Sequence, residues 1–167
     1  MSTGPAVRET DRIVDQLKRM YDGDAWHGPS VRAALHGVDA TMAAARPVAH
    51  GHTIGEIVMH MTAWTREVTR RLQSGVARDP EDGDWPVAAV ADAAAWAATV
   101  AALDAANTEL VRTATASDDA RLQDRIVDAP GRPPGSGVSR YTLLHGLVQH
   151  HAYHAGQISM LKRALAR

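Results

Sequence analysis

Apolar positions recur at three- and four-residue intervals over four long stretches of this chain, with Gly and Pro between them. In "ETDRIVDQLKRMYDG", residues 9–23, Ile13, Leu17 and Met20 fall on one face of a helix. The clearest pattern runs through "HTIGEIVMHMTAWTREVTRRLQSG", residues 52–75. There Ile57, Met61, Trp64, Val68 and Leu72 keep a helical period, Thr53 and Glu56 have capping-box spacing, and Gly75 supplies a stop. Residues 90–115 predict a third long helix, favoured by their alanine content. A fourth starts at about Ser139 and is long enough to span a whole bundle. Two short helical pieces lie between the first and second. One is bounded by Pro29 or Ser30 and by Gly37, and the other, 39–47, ends against Pro47. Residues 77–86, "ARDPEDGDWP", read as an acidic surface loop, and "DAPGRPPGSG", 128–137, cannot continue a helix. The pattern predicts an all-α protein with one domain over residues 1–167.

Composition narrows this picture. A chain of 167 residues buries enough surface to fold around one core without staples. Its net charge is −1 with no block of like charges, so nothing marks a nucleic acid or an anionic membrane as partner. No apolar stretch is long enough to cross a bilayer, and "MSTGPAVRETDR" has no apolar leader, so a cytoplasmic protein is expected. Cysteine is absent, which removes disulfides, thiolate ligands and a cysteine nucleophile together. Any metal must be held by nitrogen and oxygen. Phe is absent too, so large core contacts are expected from Leu, Ile, Val, Met and the four Trp.

The nine histidines are the candidate chemistry. "QHHAYHAGQ", residues 149–157, holds three of them. Residues four apart on a helix lie about 40° apart around its axis, so His150 and His154 can converge on one ion. They share a stripe with Leu143, Leu147, Gln157, Ile158 and Leu161, which should face the core. His145 falls on the opposite side and His151 on the flank, where solvated histidines are expected. His60, between Ile57 and Trp64, is the natural third ligand. His27, His36, His50 and His52 lie in or beside loops and fit less well. The competing reading makes His60, His150 and His154 ordinary core histidines bonded to carbonyls. However, no obvious buried carboxylate is available to pair them, and one shared ion satisfies three buried rings at once. Gln157, about one turn beyond His154, is a candidate to orient that ring. The Glu that follows the first His of a zinc-protease HExxH is replaced by His151. No G-x-S-x-G elbow, P-loop or dinucleotide fingerprint is present.

"HTIGEIVMHMTAW" and "HHAYHAGQISMLKR", with the helix order, resemble the DinB/YfiT-like metalloproteins, which are unrelated to the DNA polymerase that shares the DinB name. The resemblance implies an up-down four-helix bundle with a long crossover and a three-histidine site for a divalent metal. Its ligand positions fall on His60, His150 and His154. It also implies a homodimer, and an activity in one of three directions. These are transfer to or from a low-molecular-weight thiol, hydrolysis by an activated water, or metal binding without turnover in a stress response. A cation with an open position stabilises an attacking anion, so a small-molecule substrate and a thiol cosubstrate are the expected partners. With no carboxylate base evident beside the ligands, thiol transfer is the preferred reading. Zn or Ni is the expected ion, with Fe, Cu or Mn compatible with the same donors.

Overall fold

The computed structural model of the chain describes residues 6–87, 89–131 and 137–166. The described residues form six α-helices: α1 (Glu9–Asp22), α2 (Val31–Leu35), α3 (Ala40–Ala44), α4 (Ile54–Ser74), α5 (Ala93–Thr115) and α6 (Arg140–Leu165). Two-residue strands β1 (Val76–Ala77) and β2 (Val127–Asp128) pair in parallel and tie the start of the α4–α5 connection to the middle of the α5–α6 connection. The Pro/Gly segment breaks the helical pattern at β2, although its residues 132–136 lie outside the described residues, as does the start of the N-terminal segment.

Three of the long helices begin where a side chain close in sequence stops the backbone N–H groups from being orphaned. Thr53 and Glu56 form the reciprocal capping box at α4, Asp92 caps α5, and Ser139 caps α6. Gly75 ends α4 in the left-handed region at φ 73°, a conformation that glycine takes without steric cost. Ser30, rather than Pro29, defines the start of α2 by accepting from the Ala33 amide. The α1 start is capped from across the bundle, where the Asp119 carboxylate accepts from the Glu9 amide at 2.7 Å and the Thr10 amide at 2.9 Å.

The long helices pack in the ring order α1–α5–α4–α6. α4 and α6 run antiparallel, since Arg140 reaches the Leu72 carbonyl at one level while His60 meets His150 at another. α4 and α5 run in the same direction, with Gln73 beside Glu109 at one end and Gly55 against Val90 at the other. That arrangement requires the intervening segment to return along the bundle, and this segment is the long crossover.

Ile13, Leu17, Met20, Met61, Leu103, Leu110, Leu144 and Ile158 are buried in the shared core. Of the four tryptophans only Trp96 joins it, donating its indole N–H to the Val38 carbonyl at 2.8 Å. Trp26 is fully exposed, and Trp64 and Trp85 lie beside the histidines. The expected core role of tryptophan therefore holds fully for Trp96, and Trp85 packs against the core while partly buried. Among the described residues no helix is long and apolar enough to cross a membrane.

The crossover is anchored at its start by a buried ion pair. Glu67, with no exposed surface, accepts from Arg71 at 2.8 Å and from the Arg78 amide at 2.9 Å, while Arg71 also donates to the Arg78 carbonyl. Removing one member of such a pair leaves the other charge buried and uncompensated. Glu67→Ala is therefore expected to cost about 3–5 kcal/mol in urea unfolding. A midpoint within experimental error of the parent would contradict this role.

Candidate metal centre

α4 delivers His60 to the α6 side, and α6 delivers His150 and His154 one turn apart on the face that meets α4. Nε2 of His60 lies 2.9 Å from Nε2 of His150, and Nε2 of His154 lies 3.1 Å from the same atom. His60 and His154 are 5% and 4% exposed, and His150 is partly buried. The three rings are the one group among the described residues with metal-ligand potential, their donor atoms lying within 4.8 Å of one another.

The far nitrogens determine which way the lone pairs point. Nδ1 of His60 lies 2.6 Å from the backbone carbonyl of Asp84, which can only accept, so this nitrogen carries the proton and Nε2 carries the lone pair. Nδ1 of His154 donates likewise to Oε1 of Gln157 at 2.6 Å. Nδ1 of His150 is buried without a hydrogen-bond partner among the described residues. Two lone pairs thus aim at His150 Nε2, which has at most one proton to offer and can satisfy at most one of them. An ion bonded to imidazole nitrogens at 2.0–2.1 Å separates tetrahedral neighbours by about 3.3 Å, a few tenths more than the two Nε2 distances to His150. The donor set fits a divalent cation of the zinc or nickel type.

Electrostatics favour the neutral form of the two α6 donors. Burial, reinforced by His154 and His60, pushes the His150 pKa down to about 4, and burial also lowers that of His154. Neutral imidazole is the form that binds metal.

The crossover supplies the rest of the site. Beyond the Asp84 carbonyl, its Oδ1 accepts from the Trp64 indole at 2.6 Å and lies 3.4 Å from His60 Nδ1. Trp85 stacks flat between His52 at 3.4 Å and His60 at 4.0 Å. The segment expected to be only an acidic surface loop thus forms a wall of the site, and it brings a carboxylate beside the histidines that the sequence reading lacked. Tryptophan next to a loop aspartate was the available signal. His52, set aside as a loop histidine, packs on that tryptophan.

One expectation is corrected. His151 is not solvated on a flank but completely buried, with Nε2 3.0 Å from the Thr65 hydroxyl. It belongs to the row Leu144–His151–Ile158, whose members are all buried because α6 is covered by α1, α2 and α4 at once. His145 is apart from the cluster, beside Tyr141.

The geometry defines a helical bundle with an inward histidine cluster compatible with metal binding. A family model described as the DinB superfamily matches residues 25–158, which include all three clustered histidines and Gln157, and the chain belongs to this superfamily. No curated protein and no solved structure matches the chain.

Burial also pushes the His151 pKa down to about 3. For both His150 and His151 the folded value lies below the ordinary 6.5, so the unfolded chain takes up protons first as pH falls. Stability of chelator-treated protein is therefore expected to be full above pH 6.5 and to fall steadily down to about pH 4. The slope approaches about 1.4 kcal/mol per pH unit for each histidine. His151→Gln should flatten it. Urea midpoints independent of pH over this window would contradict the burial assignment.

Proposed function

We propose that the protein binds a divalent metal ion through His60, His150 and His154 and acts as a metal-dependent transferase that uses a low-molecular-weight thiol. The observation that carries the metal reading is the convergence of imidazole lone pairs that cannot satisfy one another. The ion, when bound, supplies positive charge that stabilises the anionic form of a nucleophile. The chain's own residues orient and enclose. Asp84 and Gln157 hold the rings of His60 and His154 through their far nitrogens, and Trp85 covers one side. With no cysteine in the chain, the thiol comes as a cosubstrate. Tyr153 and Met160, exposed two turns apart on the outer face of α6, offer an apolar contact for a homodimer.

A second reading, hydrolysis of a small-molecule substrate by water, is favoured by one observation. The Asp84 carboxylate, 59% exposed and 3.4 Å from His60 Nδ1, is within reach of the site as a proton acceptor. The transferase reading needs less from this group, because a thiol gives up its proton more readily than water.

His60→Ala, His150→Ala and His154→Ala are each expected to lower metal content at least tenfold in untagged protein, whereas His145→Ala leaves it unchanged. Retention of metal by all three would remove the proposed centre. Gln157→Ala should reduce rate more than metal content. The reaction class is tested by turnover of a panel of electrophiles and esters with and without added thiol. Thiol-dependent turnover that survives Asp84→Asn within about threefold is expected. Thiol-independent turnover that falls at least tenfold in Asp84→Asn would replace transfer by hydrolysis.

A further inference from the structure

Gly146 lies well inside α6, where glycine weakens a helix relative to alanine, and packing does not explain it. A Cβ added at this position meets no heavy atom within 4 Å. Beside it lies a cavity of about 500 Å³ between α4 and α6. Its walls come from Trp64, Val68, Val138, Leu143 and Leu147, with Thr142 on the rim, and His60, His150 and Asp84 also line it. The volume is about three times the ~150 Å³ in which a protein interior holds benzene.

The charge of the lining is informative. No Lys or Arg is among the lining residues, and the one ionisable acid, Asp84, is negative. A carboxylate or phosphate held among the Val68, Val138 and Leu143 walls, away from the histidine end, would lose hydration and meet no cationic side chain there. An apolar body loses only unfavourable water against Val, Leu and Trp surfaces. The charged and zwitterionic parts of a cellular thiol have no complement along these apolar walls either, so the body of the cavity suits the other substrate.

We propose that this cavity receives an uncharged, predominantly apolar organic substrate with its reacting atom at the His60–His150 end, and that Gly146 sets the size of the body it accepts. The proposal rests on the reading of the three histidines as a metal centre and names the substrate class of that centre. A larger residue at 146 would project into the cavity from the helix backbone and fill it, while leaving the histidines one turn and more away in place.

The test uses untagged full-length protein, zinc-loaded and chelator-treated, with 4-phenylbenzyl alcohol as neutral probe and its 4′-carboxylate as the matched anion. Binding is read by calorimetry and by the amide shifts of Gly146 and Thr142, and zinc content and Tm are measured on the same samples. Chelator-treated wild-type protein, in which no ion can ligate the carboxylate, should bind the neutral alcohol at least tenfold more tightly than the carboxylate. Gly146→Leu should weaken the neutral probe at least tenfold with zinc content unchanged and Tm equal or higher, and Gly146→Ala should fall between. Thr142→Trp, which narrows the cavity from its exposed rim, should repeat the loss even if the leucine variant folds poorly. Equal affinity of the chelator-treated protein for the two probes overturns the proposal, as does undiminished binding in both bulky variants. The two readings fail separately. Zinc uptake without probe binding removes the apolar cavity and keeps the metal centre, whereas probe binding at Gly146 without zinc uptake keeps the cavity and removes the metal.

Discussion

Three imidazole nitrogens face one another across the α4–α6 interface, and at least two of them present lone pairs. Left alone, that arrangement is costly, because a buried acceptor without a donor loses its hydration and gains nothing in return. The surrounding structure nevertheless works to maintain it. The Asp84 carbonyl and the Gln157 amide oxygen each take the outward proton of a ring, which turns the inward nitrogen into an acceptor. Burial holds His150 and His154 in the neutral form that preserves those lone pairs.

The bundle topology follows from the need to hold one of those acceptors. The Asp84 carbonyl reaches His60 only because the chain returns along α4 before α5 begins. That return is fixed at its start by Glu67 and Arg71 and along its course by the Trp64–Asp84 bond and the His52–Trp85–His60 stack. A short α4–α5 turn would make an ordinary antiparallel bundle and leave Nδ1 of His60 without this partner. The crossover also leaves the Gly146 side uncovered, so the cluster is closed on its Trp85 side and meets an apolar cavity on the other.

The long helices, the capping box of α4 and the three clustered histidines were legible in the sequence because each rests on short-range spacing. His60 sits one turn from Ile57 and Trp64, and His150 and His154 are four apart. What was not legible depends on contacts between distant segments. His151 was misplaced because a single 100° stripe is narrower than the buried arc of a helix packed by three neighbours, although the row Leu144–His151–Ile158 carried that information. Asp84 and Trp85 lie in a segment without period, so no wheel points them at His60. Glu67 and Arg71 have the spacing of a surface pair, and only the returning chain buries them.

The protonation pattern can be observed directly by two-bond nitrogen–proton correlation spectra of ¹⁵N-histidine-labelled protein, recorded after chelation and again after addition of zinc. The structure predicts that His60 and His154 are neutral with the proton on Nδ1 before metal is added. It also predicts that zinc shifts Nε2 of His60, His150 and His154 together while the signals of His151 and His145 stay unliganded. Protons on Nε2 of His60 and His154, or a set of zinc-shifted rings that omits any of the three, would contradict the convergent-lone-pair site.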